Sequence, residues 1–214
     1  MRKILFAALV LGATPAMAQD EADNGIGGLR VEARAGIERP NLNTDIAGTT
    51  YVDSLGSGFT YGGEIGYDIP VSSSITVGPY VSIDAGGSDK CEAYDAGPGF
   101  AGTACFHSKS DLSVGARVGV NLGPKTELYV GIGYDKYDLD FSDRVINTTT
   151  SAVVSNYVSG DARDGLGVSF GANFDLSKNL YVGVGMRVTE AGDFEGTDIN
   201  LQRFQGHVAI GFRM

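Results

Sequence analysis

Four residues with the side-chain chemistry of a hydrolase stand close together: His107, Ser108, Ser110 and Asp111. Acyl transfer requires a serine nucleophile that a histidine base activates and an acid orients. These residues lie within a few positions of one another, whereas a triad is assembled by the fold and not by sequence order. A polar loop end beside Cys105 accounts for the same residues, and we favour that interpretation over catalysis.

A second set of residues carries charge at every other position of several segments. It consists of Arg30, Glu32, Arg34, Glu64, Arg117, Arg187, Arg203 and His207. If these side chains share an interior, the acids and guanidinium groups must pair, because buried charges persist only when paired and hydrogen-bonded. We favour a structural plug; the alternative is a gate whose ion pairs rearrange to pass small ions, with His207 lending pH sensitivity.

The elements that position these charges are strands of period two. In residues 202–214, one face is apolar and carries Phe204, Val208, Ile210 and Phe212, whereas arginine and histidine side chains occupy the other. Such alternation over a short segment indicates a β-strand with two unlike faces.

Eight segments follow this pattern, and none of their apolar faces contains Asp, Glu, Lys, Arg or His. The apolar sets are Leu29, Val31, Ala33, Ala35, Ile37; Phe59, Tyr61, Gly63, Ile65, Tyr67, Ile69; Ile75, Val77, Pro79, Val81, Ile83; Leu112, Val114, Ala116, Val118, Val120, Leu122; Leu128, Val130, Ile132, Tyr134; Leu166, Val168, Phe170, Ala172, Phe174; Leu180, Val182, Val184, Met186, Val188; and the closing strand. Within the third set, Pro79 predicts a β-bulge, because proline removes a ladder hydrogen bond.

The connections between these segments alternate strictly in length. Long ones span 39–57, 86–108, 138–164 and 190–200, and short ones span 70–74, 123–126 and 175–179. A water-soluble barrel would have an apolar interior and a charged exterior. Here charged side chains occupy one face of the strands and the other face has none, so we expect the charged face to line the interior and the apolar face to contact lipid. We therefore predict an all-β fold: an eight-stranded antiparallel transmembrane barrel, an up-and-down meander with long extracellular loops and short periplasmic turns.

The two ends of the chain and its cysteines fit an exported protein. Residues 1–18 have Arg2 and Lys3, an apolar run and a small-x-small site, which predicts a cleaved signal peptide followed by a barrel domain over 19–214. Cys91 and Cys105, in a chain that leaves the cytoplasm, predict a disulfide that closes a ring of about 15 residues, contributing roughly 3 kcal/mol in the loop-entropy treatment.

Charge limits the partners. The formal net charge of -10 falls further once the signal peptide is removed, which argues against nucleic acid, because phosphate binding needs basic patches. The long connections hold 14 Asp and Glu. These could bind divalent cations at the lipopolysaccharide surface or repel anions, but we favour a solvated rim, since no run has calcium-loop spacing. No cofactor or metal site is predicted.

Topology, face polarity and the C-terminal strand make the chain resemble the OmpA/OmpX-like, opacity-protein-like eight-stranded outer-membrane barrels over 19–214. The resemblance implies a monomeric, non-enzymatic protein of the outer membrane that contacts lipid and lipopolysaccharide. It also implies an envelope-structural or surface-interaction role, adhesin-like or opacity-like, with a host or envelope partner at the acidic loops. The alternatives are a small gated ion or solute pore and a lipid A-modifying enzyme.

Overall fold

In the computed structural model, the described residues are 27–46, 49–191 and 199–214, and they form ten β-strands. The strands are β1 (Gly28–Ile46), β2 (Thr49–Ser54), β3 (Gly58–Pro70), β4 (Ile75–Gly87), β5 (Asp89–Asp95), β6 (Phe100–Asn121), β7 (Thr126–Asn147), β8 (Val153–Asp175), β9 (Leu180–Ala191) and β10 (Ile199–Arg213). Residues 1–26, which contain the predicted signal peptide, lie outside the described residues.

Eight of the ten strands form a closed antiparallel ring. The order is β10-β9-β8-β7-β6-β4-β3-β1, and β1 then pairs with β10 to close it. This seam places Val31 opposite Phe212 and Arg34 opposite Ala209. The ring confirms the predicted fold class. The remaining strands are appendages, since β2 pairs with the end of β1 and β5 pairs with β6.

Side chains alternate between the two faces of the ring as the sequence predicts. The large apolar residues of the eight predicted sets point outward, and Ile37, Ile65 and Val130 are each more than half exposed. Charged side chains at the intervening positions point into the ring and are buried. An apolar exterior around a charged interior is the polarity of a membrane barrel, because the hydrocarbon takes the place of a hydrophobic core.

Three strands are far longer than a membrane crossing needs. Strands β6 and β7 have 22 residues and β8 has 23, whereas a tilted strand crosses the hydrocarbon in about 9–11. The excess projects from one end of the ring. We call this projection the upper lobe: β2, β5 and residues 39–46, 100–110, 136–147 and 153–164. The predicted long connections 86–108 and 138–164 are therefore largely strand, and their prediction as loops was wrong.

Polarity inverts along the strands where they enter the upper lobe. On β7, Tyr134 points outward and Asp135 is fully buried in the ring, but a few residues further on Leu139 is buried and its neighbours Asp138 and Asp140 lie on the outer face. A strand that leaves lipid for water must exchange its faces, since water then surrounds the outside. The pattern that locates strands in the sequence is an apolar face without charged residues. This pattern stops where the faces exchange, so it does not extend into the upper lobe.

The upper lobe has a small apolar core of its own. Leu55, Tyr137, Leu139, Ala191 and Leu201 are buried together, and Leu42 and Phe106 pack against them. Phe106 reaches this core because the pairing of β6 with β7 shifts register between Ser108 and Ser110. A β-bulge exchanges the faces of the residues beyond it.

The bulge predicted at Pro79 is absent, and that prediction was wrong. Gly66 lies opposite Tyr80 and Ile69 opposite Val77, so β3 and β4 keep one register on both sides of the proline. Only the two intervening pairs are interrupted. The pairing of Pro79 with Ala116 on β6 is intact, because an antiparallel strand residue directs its N–H toward one neighbour only. The missing donor therefore weakens one ladder without inserting a residue.

The short turns at the opposite end use serine side chains. Ser72 Oγ accepts hydrogen bonds from the backbone N–H groups of Ser74 and Ile75, and Ser177 Oγ accepts them from Asn179 and Leu180. Hydroxyls that bond the backbone two or three residues on are a recognised turn device. The same device in two turns holds their strands at a fixed register.

Candidate functional site

The interior of the ring is filled by charged side chains that seven strands direct inward. Six arginines and eight carboxylates are buried there in the described chain: Arg30, Arg34, Arg117, Arg187, Arg203 and Arg213 with Glu32, Glu38, Glu64, Asp68, Asp84, Asp111, Glu127 and Asp135. Every second residue of these strands faces inward, which explains how sequence alternation becomes one interior cluster. The excess of carboxylates leaves the interior acidic.

Arg30 is the hub of the lower half of the interior. Its Nη1 donates to Glu32 and to Glu64, both at 2.6 Å, and its Nε donates to Asp68 at 3.3 Å. The Arg30 side chain is fully buried. Charge-assisted hydrogen bonds of this length are about twice as strong as neutral ones, and one guanidinium here neutralises part of three carboxylates.

Arg34 extends this group by a bidentate contact with Asp84. Its Nε and Nη2 donate to the two oxygens of Asp84 at 2.8 and 2.7 Å, and its Nη1 donates to Glu64 at 3.0 Å. Two parallel N–H···O bonds fix the plane of the guanidinium as well as its position. Glu64 thus joins Arg30 to Arg34.

Glu127 accepts hydrogen bonds from three side chains near the turn end of the ring. Arg213 donates to Glu127 at 2.7 Å, Asn173 at 2.9 Å and Arg117 at 3.3 Å. Arg117 also lies 3.4 Å from Asp68. The lower group is therefore continuous from Asp84 to Arg213.

A second group lies near the upper lobe. Arg203 donates to Asp111 at 2.6 Å and to Glu38 at 2.7 Å, and Arg187 lies 3.9 Å from both Asp111 and Asp135. Within the described ranges no ion pair connects this group to the one around Arg30. The interior charges are therefore paired in two layers.

Four interior tyrosines cover four of the arginines. Arg117 lies 4.8 Å from the Tyr129 ring centre, Arg203 4.6 Å from Tyr137, Arg213 5.2 Å from Tyr181 and Arg187 5.6 Å from Tyr80. A cation over an aromatic face is stabilised by the ring quadrupole. The tyrosines were missed at the sequence level, although each occupies an inward position of its strand, which was the available signal.

Inward glycines make room for these rings. A Cβ at Gly211 would collide with the Tyr181 ring, and a Cβ at Gly171 would collide with the ring and hydroxyl of Tyr129. The hydroxyls then reach acids: Tyr181 Oη donates to Glu32 at 2.6 Å, and Tyr137 Oη donates to Glu38 at 3.1 Å. Small residues beside large ones fill a barrel of eight strands, whose bore is only wide enough for its own side chains.

The structure brings seven of the eight predicted interior residues into these two groups. Arg30, Glu32, Arg34, Glu64 and Arg117 lie in the lower one, and Arg187 and Arg203 lie in the upper one. His207 is only half-buried, and its Nε2 lies 3.5 Å from Tyr129 Oη. No ion pair of His207 occurs in the part of the chain that the structure describes.

The comparisons with known proteins agree with this architecture. The family described as "Outer membrane protein beta-barrel domain" matches residues 4–212. The chain belongs to this family. It is thus an integral protein of the outer membrane, and its upper lobe is the extracellular end, because such barrels have short periplasmic turns.

Solved outer-membrane barrels resemble the chain at low identity. Ail, the attachment invasion locus protein of Yersinia pestis, is 12% identical with a TM-score of 0.43, and the match covers 86% of this chain and 99% of Ail. Neisserial surface protein A is 16% identical with a TM-score of 0.45, and the match covers 86% of this chain and 96% of that protein. The outer membrane protease OmpT of Escherichia coli is 9% identical with a TM-score of 0.48, and the match covers 87% of this chain and 97% of OmpT. No curated protein matches the sequence.

Three of the four hydrolase-like residues of this outer-membrane barrel contact separate partners. His107 Nδ1 lies 2.6 Å from Asp89, Ser110 Oγ donates to Asp138 at 3.1 Å, and Asp111 is buried against Arg203. In the described residues no hydrogen bond joins His107 to Ser108 or Ser110. A nucleophile and its base must lie within hydrogen-bond reach, and these side chains lack that contact.

The upper lobe is fastened at several exposed points. Cys91 and Cys105, directly opposite each other on β5 and β6, form the predicted disulfide, which is thereby confirmed. Lys90 Nζ donates to the Ser54 carbonyl at 2.7 Å and pairs with Glu92, and this hydrogen bond with Glu92 raises the Lys90 pKa. The disulfide and Lys90 tie β5 to β6 and to β2, so the lobe is a connected structure.

Metal-binding clusters and membrane-spanning helices are both absent from the described ranges. No group of three or more His, Cys, Asp and Glu side chains there has an arrangement that could hold a metal ion. In residues 27–46, 49–191 and 199–214, no helix has the length and hydropathy to cross a membrane.

Proposed function

We propose that this barrel is a non-enzymatic surface-interaction protein that binds its partner by strand addition in the upper lobe. The observation that carries the proposal is an edge of β8 that no described strand covers. This strand pairs with β7 from Val153 onward, but its pairing with β9 begins only at Gly165. Residues 153–162 therefore pair on one edge only among the described strands.

The side chains of this edge suit a protein partner. Val154 and Val158 are 58% and 64% exposed. Residues 145–160 contain no Asp, Glu, Lys, Arg or His, although the surrounding lobe is acidic. Natural edges are usually blocked by charge or proline, because an unpaired edge recruits another strand. An extended segment of another protein fits, its backbone supplying affinity and its alternate side chains supplying specificity.

The filled interior supports this function over the pore. Six arginines are held against eight carboxylates, and Arg203 lies 4.6 Å from the centre of the Tyr137 ring. Passage of ions would require several charge-assisted contacts to break together. Each broken contact leaves a buried charge without its partner, which costs free energy. The dispersed partners of His107, Ser110 and Asp111 likewise favour a non-enzymatic role.

The test compares cells that produce the wild-type protein with cells that produce Val154→Lys/Val158→Lys. We expect wild-type cells to autoaggregate or to attach to at least one of a panel of purified extracellular-matrix proteins, and the double lysine variant to lose this activity. A lysine at an edge opposes pairing because it would be desolvated.

The control is Val145→Lys, a single lysine at a similar height on β7. Val145 is paired with Gly102 on β6 and with Ser155 on β8, so its strand offers no free edge. Equal loss of attachment in the control would attribute the effect to charge and sink the edge proposal. Two further assays address the alternatives. Lipid A acylation that depends on His107 would indicate an enzyme, and single-channel conductance altered by Arg117→Ala or Glu64→Ala would indicate a pore.

A further inference from the structure

The upper lobe encloses an apolar cavity of about 400 Å³ above the charged interior. Its apolar lining is Leu42, Leu55, Phe106, Leu139, Phe141 and Tyr157. These side chains come from four separate parts of the chain, and they extend the apolar core that buries Leu139 and Leu201. The volume falls within the roughly 300–1,000 Å³ typical of small-molecule sites.

The floor of this cavity is closed. Tyr137, which is 2% exposed, lies beneath it in the apolar core. Below the Tyr137 ring lies Arg203 at 4.6 Å, itself bound to Glu38 and Asp111. A molecule that enters the cavity therefore meets an ion-paired layer and stays in the lobe.

The polar part of the lining sits on one wall. Ser159 and Asp161 are neighbours on the inner face of β8, opposite Phe141 and Leu139 of β7. Asp161 pairs with Arg163 and keeps a side-chain exposure of 47%. A few polar groups on one side of an apolar pocket fix the orientation of a ligand.

We propose that this cavity binds a small amphipathic molecule whose apolar body is buried and whose cationic head lies at Asp161. The apolar lining excludes a fully polar ligand, because desolvating unpaired polar groups is costly. Charge complementarity selects the cationic head: Asp161 is on the cavity wall, and the rim of the lobe is rich in carboxylates that repel alkanoates. The site is distinct from the exposed Val158 of the β8 edge, which alternation along the strand places on the face opposite Ser159 and Asp161.

The absence of tryptophan from the chain allows a direct test. Phe141→Trp places the sole indole in the cavity, and Phe170→Trp places it on the lipid face of the same barrel, where Phe170 points outward. Each protein, reconstituted in nanodiscs, is titrated with a medium-chain bromoalkyl ammonium salt, which quenches indole on contact. The alkanoate of the same length is the second probe.

We expect saturable quenching of the indole in Phe141→Trp, with the ammonium probe binding more tightly than the alkanoate. Filling the cavity by adding Ser159→Phe should weaken binding at least roughly tenfold. Adding Asp161→Asn leaves Arg163 in place and should lower the ammonium preference by roughly fivefold, the scale of an exposed ion pair. The Phe170→Trp protein should show only linear, non-saturating quenching.

Linear quenching in both tryptophan proteins would mean that the probes merely partition into the bilayer, and the site would be refuted. Saturable quenching that Ser159→Phe leaves unchanged would place the bound probe elsewhere and would also refute it. Tighter binding of the alkanoate would overturn the assignment of a cationic head. Heat-modifiable migration of every variant checks that the barrel is folded.

Discussion

The ring and the upper lobe are built from the same strands with opposite polarity. In the ring, Val130 and Tyr134 of β7 face lipid while Asp135 is buried; in the lobe, Leu139 is buried while Asp138 and Asp140 lie outside. The inward face of one strand can therefore be charged in one part and apolar in another, because the solvent around each part determines which face is apolar. The lobe has the apolar interior of a water-soluble protein, whereas the ring below it has a charged interior and an apolar exterior.

Breaking an ion pair in the ring should have the largest effect. Arg30→Met leaves Glu32, Glu64 and Asp68 without their shared cation, and we expect a loss of about 3–5 kcal/mol in the free energy of unfolding. Urea unfolding in lipid vesicles, followed by heat-modifiable mobility, measures it. Adding Glu32→Gln removes one stranded charge and should restore part of the loss; no restoration would contradict the electrostatic explanation.

Placing the same charge on the two regions sharpens the contrast between lipid and water. Val130 and Val158 are 57% and 64% exposed, so exposure alone predicts equal effects. Val130→Arg should instead cost about 2–4 kcal/mol, because an arginine at mid-membrane is desolvated. Val158→Arg should stay within about 0.5 kcal/mol. Equal values in the same vesicle assay would mean that β7 is not immersed in lipid at Val130.

Truncating the apolar core of the lobe should cost less than either change in the ring, and its effect should be the most local. Leu139→Ala leaves a cavity among Leu55, Tyr137 and Leu201, and we expect a cost of about 2 kcal/mol, confined to the lobe. Amide hydrogen exchange should accelerate at 137–147 while the ring amides stay protected. Leu128→Ala on the lipid face is the control, since lipid refills the space. Faster exchange throughout the ring would show that the two regions unfold together.

The sequence predicts the ring well and the lobe poorly, for one physical reason. The apolar faces of β3, β4 and β9 have no ions, so alternation alone locates these strands. Beyond Tyr134 the polar and apolar faces exchange. Residues 145–160, which span the end of β7 and the start of β8, lack the charges that would mark an outer face, so those segments were predicted to be loops. The interior arginines were evident from their spacing, but their assignment to two layers depends on distances across the ring that no local pattern contains.

Residues that act through tertiary contacts were the hardest to predict. Tyr80, Tyr129, Tyr137 and Tyr181 are ordinary strand residues until the ring brings arginines over them. Asp111 was grouped with His107 because the two are near in sequence. Asp111 shares the inward parity of Ser113 and Arg117 and contacts Arg203, whereas the register shift between Ser108 and Ser110 places His107 on the other face. The register shift has no signature of its own in the residues around it.

The seam between β1 and β10 gives the protein a form of quality control during assembly. Leu29 and Met214 exchange backbone hydrogen bonds at 2.9 and 2.8 Å, so β1 is held along its outer edge by β10. A chain that lacks β10 would leave two unpaired strand edges, and lipid offers no substitute donors or acceptors. A chain shortened before β10 is therefore expected to stay outside the membrane, because the eight-stranded ring cannot close without that strand.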